Sequence, residues 1–550
     1  MAKKILIVGG VAGGASAAAR LRRLDETAQI ILFERGDYIS FANCGLPYYI
    51  GGAIKSRDEL LLQSPDSFKR RFNVNVRIAS EVVRIDRRRK EVEVLERRTG
   101  HRYVERYDVL ILSPGAAPVR PSIPGVESSR VFTLRDIADM DRIAEFIHSH
   151  KPGKAAVVGA GYIGLEMAEN LRHRGLSVEL VEMLDQVMPI LDKEMAWFLH
   201  QHLRERDVTL RLGDGVASFH ETDSSLRITL NSGAELNCDF AVLAVGVQPE
   251  TRLAEDAGLE IGARFGIRVN ERLQTSDPNI YAIGDAVEVR DYVLGDAVRV
   301  PLAGPANKQG RMAADIISGK DRKYKGTQGT AILKVFDLTA AMTGAGEKAL
   351  AKTTIEYEKL YLHPAHHAGY YPGAKQMHIK LLFAKPSGKI LGAQIVGAEG
   401  VDKRIDVIAV AMRAGMTVYD LQELELAYAP PYGSGKDPIN IAGYAASNVL
   451  DGTVKVRHFT ELTKDDFVLD VRTPAEFDRG AVPNARNIPV DHLRDRLDEL
   501  PRDKTIHAYC GVGVRSYIAC RILEQNGFDA RNLPGGFMTY RSTAESGRAR

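Results

Sequence analysis

Apolar positions in the first 35 residues form one continuous run, a gap and a second run. Ile5-Leu6-Ile7-Val8 is uninterrupted, as in a strand buried on both faces. A glycine-rich turn, Gly9–Gly14, follows. Ala15–Leu24 then repeats apolar residues at helical spacing, and Gln29–Glu34 returns to a strand pattern. This order predicts a βαβ unit. It recurs at 154–182: apolar Ala155–Val158, the turn Gly159–Gly164, a helix to about Arg174, and the strand Ser177–Glu182. Two such units predict two nucleotide domains. Between them, Val82–Val109 alternates basic and apolar residues, the period of antiparallel strands. Arg87-Arg88-Arg89-Lys90 falls in a hairpin and reads as a solvated turn.

The texture changes near residue 327. Strand patterns at Ala331–Phe336, Met377–Phe383 and Ile390–Gly397 precede a helix at Asp402–Ala414, an α+β arrangement. A boundary is expected near 450–458, where Asp451-Gly452-Thr453 leaves the helical pattern Ile439–Leu450. The remainder alternates short strands and helices as a further unit.

Composition narrows the class. A chain of 550 residues exceeds what one core organises. Its 45% hydrophobic and 26% charged content is that of ordinary globular protein, and a net charge of +3 leaves no nucleic-acid footprint. Four cysteines without paired spacing argue against a disulfide framework and for a reducing compartment. Met1-Ala2-Lys3-Lys4 before an apolar run superficially suggests a signal peptide, but the run ends after four residues at Gly9. No stretch approaches the ~18 apolar residues of a membrane helix. The expected location is cytoplasmic.

Two of the cysteines lie in loops suited to a thiolate, the reactive form. Cys44 sits in Ser40-Phe41-Ala42-Asn43-Cys44-Gly45-Leu46-Pro47-Tyr48, and Cys510 opens Cys510-Gly511-Val512-Gly513-Val514-Arg515-Ser516 between an apolar strand and a helix. Cys520 falls in a helical core pattern, and Cys238 has no supporting context. His363, His366 and His367 lack a completing acid or cysteine, and Pro364 breaks any helix, so no metal site is expected.

The glycine turns carry the nucleotide chemistry. Gly9-Gly10-Val11-Ala12-Gly13-Gly14 is an imperfect GxGxxG with Val11 at the second glycine position, and Glu34 ends the next strand. Such a turn brings backbone to a pyrophosphate at a helix N-terminus, and the acid accepts ribose hydroxyls. Gly159-Ala160-Gly161-Tyr162-Ile163-Gly164 is a full GxGxxG, closed by Glu182. A carboxylate there favours a free 2′-hydroxyl over a 2′-phosphate, so NADH over NADPH.

Thr275-Ser276-Asp277-Pro278-Asn279-Ile280-Tyr281-Ala282-Ile283-Gly284-Asp285 resembles the second flavin motif of the two-dinucleotide-binding flavoproteins, and Leu110–Gly115 resembles their exit from the flavin domain. The resemblance implies FAD contacts from Gly9, Val11, Ala12, Gly13, Gly14, Glu34, Arg35 and Asn43. It adds Ser113, Gly115, Gly284, Pro301 and Ala303, with Asp285 on the ribityl chain. For NADH it implies Gly159, Gly161, Ile163, Gly164, Glu182 and Gly246, with Tyr162 and Glu166 beside the nicotinamide.

Members of that class often carry a redox cysteine pair at this point; here no second cysteine lies within ten residues of Cys44. Cys44 is therefore expected to cycle against a mixed disulfide, a persulfide or a sulfenic acid. The segment Ser40–Tyr48 resembles the coenzyme A-disulfide reductases. So do Gly9–Gly14, Pro301-Leu302-Ala303, Asp402–Asp406 and Ala427–Tyr432, a likeness covering 1–450. It implies an FAD domain at 1–120 and 246–325, an NAD domain at 121–245 and a dimerisation domain at 326–450. It also implies a homodimer in which Tyr370 and Tyr428 reach the partner's active site to assist the departing thiolate. Coenzyme A contacts are expected from Ser16, Arg20, Arg23, Ser40, Asn43, Arg71, Arg299 and Lys436. Single-cysteine NADH oxidases and peroxidases place a histidine in the first glycine loop; Val11-Ala12-Gly13 has none.

Asp470–Phe477, Gly480–Ala485, Asn487-Ile488-Pro489, Tyr509–Ser516 and Pro534-Gly535-Gly536-Phe537 resemble rhodanese, predicting a domain at 457–550. Backbone N–H groups of its loop would form an anion nest around Cys510, with Arg515 adding charge. Protein phosphatases share the loop shape, but Tyr509 stands where they place histidine.

The expected fold is α/β: two Rossmann-like dinucleotide-binding domains, an α+β dimerisation domain and an α/β rhodanese domain. The expected function resembles NADH-dependent reduction of CoA disulfide, CoA persulfide or polysulfide, with Cys44 as the reducing end and Cys510 as the sulfur-accepting end. Two alternatives stay open at this point: an NADH oxidase or peroxidase using a Cys44 sulfenic acid, and a sulfur-carrier or redox-sensing flavoprotein with little turnover.

Overall fold

The computed structural model describes residues 2–546. The chain forms two compact units, 1–181 with 215–328, and 182–214 with 329–550. No helix among the described residues is long and apolar enough to cross a membrane.

The first unit is organised by a parallel sheet in the order Ile280–Ala282, Val109–Leu112, Lys4–Val8, Gln29–Phe33, Asn75–Arg77. Its central strand explains the unbroken apolar run. Ile5 and Ile7 enter a core with Ala17, Leu21 and Ala313, while Leu6 enters another with Phe33, Leu110 and Val287. Alternate side chains leave opposite faces, so a strand covered on both faces must be apolar throughout. Helix Ala12–Leu24 packs against helix Ala303–Ile317. The second βαβ unit repeats the plan: Lys154–Val158 pairs in parallel with Ser177–Glu182 and with Phe240–Leu243, and the last pairs with Val131–Thr133. The alternating stretch after residue 80 becomes an antiparallel meander, Ser80–Asp86, Glu91–Glu96 and Arg102–Arg106. Its last expected residue, Val109, belongs instead to the parallel sheet.

The second unit contains a five-stranded antiparallel sheet in the order Ala331–Val335, Leu338–Gly344, Ile390–Gly397, Met377–Ala384, Tyr357–Leu362. Helices Val401–Ala414 and Pro438–Leu450 follow it. The C-terminal part is a parallel sheet, Arg486–Asn487, Phe467–Asp470, Ile506–Tyr509, Ala530–Asn532, flanked by helices Val514–Gln525 and Gly536–Ser546. Helix Gly536–Ser546 lies on helix Lys193–Glu205, where Trp197 Nε1 donates to Glu545 Oε2 at 3.2 Å. His363 shares hydrogen bonds of 2.9 Å with both His378 and Thr539, tying this last helix to the antiparallel sheet.

Glu182–Asp214 clusters with the second unit because ionic contacts hold it there. The Lys380 ammonium, with no solvent exposure, sits among the carboxylates of Asp192, Glu194 and Glu347. Asp192 also bonds Gln394 through both backbone and side chain, at 2.9 and 2.8 Å. These three acids are the convergent ligand-like group among the described residues, and the lysine occupies their centre.

Candidate active site

Both glycine turns have the tight geometry their sequences require. Gly9 and Gly159 have φ of 97° and 101°, a region L side chains avoid. A Cβ on Gly14 would lie 1.9 Å from the Gly9 carbonyl oxygen, and one on Gly164 would lie 1.8 Å from that of Gly159. Val11 takes the residue position before helix Ala12–Leu24 without a capping side chain, and Gly161 does the same before helix Tyr162–His173. Each turn thus presents uncapped helix N–H groups, which suit a pyrophosphate.

The acids fit as well. Glu34 Oε2 accepts from Gly10 N–H at 2.9 Å and Oε1 from Gly36 N–H at 2.8 Å, so the carboxylate is fixed beside the first turn. Asp285 lies in the short turn Gly284–Ala286, partly buried, and has no hydrogen-bonded partner among the described residues. Burial pushes its carboxyl up, with Arg135 partly opposing. An acid left this way fits a ligand rich in hydroxyls, as a ribityl chain is. Arg35 forks onto Glu250 at 2.6 and 2.5 Å, and Arg135 shares the same carboxylate. Ser113 abuts Gly9 and Gly13, and Gly115 adopts φ of 77° beside Arg135. Glu182 ends its strand with Oε1 accepting from Leu184 N–H at 2.9 Å. Gly246, with φ of 112°, follows strand Phe240–Leu243. Pro301 and Ala303 lie at the start of helix Ala303–Ile317.

Cys44 occupies the turn Asn43–Gly45, directly before helix Leu46–Gly51. It is exposed, yet the atoms packed about it raise its thiol, and the Glu166 and Asp285 carboxylates raise it further. This corrects the expectation that the loop itself favours a thiolate: its nearest charges are negative. Four residues on, Tyr48 donates to Glu166 Oε1 at 3.3 Å. Burial pushes Glu166 up to about 7; Tyr48 opposes that rise and Glu169 adds to it. Burial also pushes Tyr162, one turn earlier on the helix, up to about 12. The sequence reading missed Tyr48, whose partner lies 118 positions away.

Neutralising Glu166 removes one of the charges that hold the Cys44 thiol up. Glu166→Gln is therefore expected to speed iodoacetamide alkylation of Cys44 at pH 7 roughly three- to tenfold. The gain should fade below about pH 6, where Glu166 is already protonated in the parent protein. Unchanged alkylation at pH 7 would count against the coupling.

A cleft of ≈ 350 Å³ lies beside this loop, lined by Ala15, Ser16, Ala19, Arg23, Ser40, Gln63, Phe68, Phe72, Asn307 and Arg311. Three expected coenzyme A contacts, Ser16, Arg23 and Ser40, meet there. Ser40 holds φ of 46°, a left-handed conformation costing a non-glycine residue ~1–2 kcal/mol, and is fixed by its N–H to Gly10 O at 2.8 Å. Three other candidates do not reach the wall. Arg20 shares the helical face of Arg23 by spacing, but Asp315 of the facing helix captures it at 2.7 Å. Arg71 is exposed on helix Pro65–Phe72, outside the lining. Arg299 packs against Gly266, its Nε buried without a hydrogen-bond partner. Asn307 and Arg311, four apart on helix Ala303–Ile317, supply amide and cation instead, and Ser16 donates to Asn307 Oδ1. Asn43 is exposed beside Cys44.

In the second unit Tyr370 and Tyr428 are exposed and share a hydroxyl contact of 2.9 Å. Buried Arg404 fixes the loops that carry them, donating to His366 O and Asp437 Oδ2, both at 2.8 Å. Lys436 is exposed next to Asp437.

Cys510 directly follows strand Ile506–Tyr509 and is fully buried. Gly513 N–H donates to its sulfur at 3.2 Å and the Ser516 hydroxyl at 3.6 Å. Phe537 N–H holds its carbonyl at 2.7 Å. Arg515 forks onto Glu476 at 2.8 and 2.6 Å, and that pairing holds the Glu476 carboxyl down to about 2. Glu476 was not among the expected site residues. Tyr509 accepts from Val482 N–H at 3.1 Å as part of the core. Cys238 and Cys520 are buried, and burial dominates the rise of both thiols.

Residues 3–310 match the model of the pyridine nucleotide-disulphide oxidoreductases. The chain belongs to that family. Residues 330–436 of this oxidoreductase match the family's dimerisation domain, and 457–543 match the rhodanese-like domain. It is 38% identical over 448 residues to a coenzyme A disulfide reductase of Staphylococcus haemolyticus, covering 81% of this chain and all of the relative. Its fold is similar to reduced Bacillus anthracis CoADR-RHD, with TM-score 0.97, 52% identity and 99% of each chain covered. It is also similar to an NAD-dependent persulfide reductase from A. fulgidus, with TM-score 0.92 and 39% identity over 98% of this chain and 100% of that one. The oxidoreductase is thus an enzyme with a C-terminal rhodanese-like domain, and its expected α/β class holds.

Proposed function

We propose that this enzyme is a homodimeric, FAD-containing reductase that uses NADH to reduce CoA disulfide, CoA persulfide or polysulfide at Cys44. The observation that carries this reading is the cleft in which Arg23, Arg311, Ser16 and Ser40 converge, Ser40 lying four residues before Cys44 in sequence. Guanidiniums suit phosphates, and half-buried Phe72 adds apolar surface to the wall. The divisions at 1–120 with 246–325, 121–245, 326–450 and 457–550 belong to the same proposal.

FAD would be held by Gly9–Gly14, Glu34, Ser113 and Asp285, and NADH by Gly159–Gly164, Tyr162, Glu166 and Glu182. When bound, the flavin supplies the electron pair from NADH that reopens the Cys44 mixed disulfide or persulfide. The protein's part is to place a CoA sulfur on Cys44. The Cys44 thiolate attacks one sulfur of the disulfide, forming a Cys44–S–S–CoA bond as the substrate's S–S bond breaks, and a CoA thiolate leaves. Glu166, pushed up to about 7, can hold a proton on the side of the site facing Cys44, its carboxyl fixed by the Tyr48 hydroxyl. Tyr370 and Tyr428, from the partner subunit, would donate to the departing thiolate. Cys510 takes up sulfane sulfur as a persulfide.

Glu182 sets the nucleotide preference. NADH should exceed NADPH in kcat/KM by about 10-fold or more. Steady-state kinetics with both nucleotides check this, and an NADPH preference would overturn it. Turnover with oxygen or peroxide above that with CoA disulfide and CoA persulfide would replace the proposed activity with an oxidase or peroxidase.

A further inference from the structure

We propose that Lys348 is a positioning residue for NADH, holding the loop that follows Glu182 in the shape that receives the adenosine ribose. The inference rests on the reading of Glu182 as the acid that meets this ribose.

Residues 183–191 form an irregular loop between strand Ser177–Glu182 and helix Lys193–Glu205. Met188 holds φ of 46°, the left-handed region that a methionine avoids, so this shape needs support from outside the loop. Glu182 is joined to the loop directly. Its Oε1 accepts from Leu184 N–H at 2.9 Å, so a shift of the loop moves the carboxylate. Met183 and Leu184 are exposed and place apolar surface next to that acid.

The support comes from the dimerisation domain. Lys348, on helix Glu347–Leu350, donates to Gln186 Oε1 at 3.2 Å and to Pro189 O at 3.1 Å. Gln186 is 1% exposed, and its Nε2 donates to Leu191 O at 2.9 Å. One ammonium, with three donors to give, thus holds the loop at Pro189 and again through the buried amide that spans it. At the far end Gln394 accepts from Asp192 N–H at 2.9 Å and donates to Asp192 Oδ2 at 2.8 Å. Lys380 fixes the same carboxylate at 2.7 Å. Lys348 is exposed, whereas Gln394 and Lys380 are buried, so Lys348 can be changed without opening the core.

A ligand binds only the fraction of chains in which its site is formed. Loosening this loop therefore weakens the hold on the adenosine half of NADH and leaves the nicotinamide half, where hydride leaves, as it was.

The test compares Lys348→Met with the parent as full-length, FAD-loaded enzyme and uses two fragments of the nucleotide. ADP-ribose carries the adenosine half and is followed by titration calorimetry. Reduced nicotinamide mononucleotide lacks that half and is followed by anaerobic stopped-flow reduction of the flavin. The ADP-ribose dissociation constant should rise about fivefold, and the mononucleotide should react with variant and parent at second-order rates within about twofold. A rise below about twofold for ADP-ribose would overturn the inference. So would a mononucleotide rate that falls as far as ADP-ribose affinity does, since the damage would then lie outside the adenosine end. Glu182→Ala tests the reading beneath it and should weaken ADP-ribose about tenfold or more. If Glu182→Ala leaves ADP-ribose binding unchanged, the reading of Glu182 falls and the inference with it. If Glu182→Ala weakens ADP-ribose and Lys348→Met does not, the inference alone falls.

Discussion

Cys44→Ser is expected to lower turnover with CoA disulfide about 10⁴-fold or more, while reduction of the bound flavin by NADH proceeds at close to the parent rate. The first effect follows because a serine hydroxyl cannot form the mixed disulfide. No second cysteine lies within ten residues of Cys44, and Cys238, Cys510 and Cys520 are all buried. The second follows because the nucleotide turns at Gly9–Gly14 and Gly159–Gly164 do not depend on the sulfur. Anaerobic stopped-flow separates the two half-reactions. If disulfide reduction persists, Cys44 is not the reducing end. If flavin reduction collapses as well, the variant has damaged the fold and Cys44→Ala must be compared.

The largest expected effect on stability comes from Lys380→Met. Lys380 is completely buried, and its ammonium meets Asp192 at 2.7 Å together with Glu194 and Glu347. Tyr361 donates to Glu194 and Lys359 to Glu347, both at 2.8 Å, but neither replaces a central cation. Methionine fills much of the volume and leaves the carboxylates without it. Removing one partner of a buried ionic group costs about 3–5 kcal/mol.

The pH dependence gives the mechanism its signature. In the parent, Lys380 and Lys359 hold Glu347 down to about 2, against an ordinary 4.5. Folded below unfolded means that this carboxylate's contribution is complete above 4.5 and is lost as pH falls toward 2. In Lys380→Met the central ammonium no longer offsets burial, so Glu194 and Glu347 rise from their parent values and bind protons more readily when folded. The variant's deficit should therefore be large at pH 7 and shrink toward pH 5. Thermal midpoints of both proteins at the two pH values decide this. A deficit that stays constant would mean lost packing rather than uncompensated charge.

The sequence was most legible where function is local. Ile5-Leu6-Ile7-Val8, the glycine turns and the loop Cys510–Ser516 each combine their chemistry within a few neighbouring residues, and each occupies the element its pattern implies. Legibility failed where a partner comes from far along the chain. Arg20 and Arg23 are equivalent by helical spacing, and only the facing helix, through Asp315, separates them. Asn307 enters the cleft beside Ser16 across 291 positions. Glu476 reaches Arg515 across 39, and Lys380 gathers acids from both sides of it in sequence. The upward pull on the Cys44 thiol was hidden for the same reason: burial comes first among its causes, and the acids that add to it, Glu166 and Asp285, are invisible in Ser40–Tyr48.

The central claim, that Cys44 takes CoA covalently at this cleft, is tested most directly by mixing the protein with CoA disulfide in the absence of NADH and mapping the adduct by mass spectrometry. The account predicts one CoA per chain, in disulfide linkage to Cys44, weakened by Arg311→Ala and absent in Cys44→Ser. An adduct on Cys510 alone, or none on Cys44 after the thiol has been shown free, would contradict it.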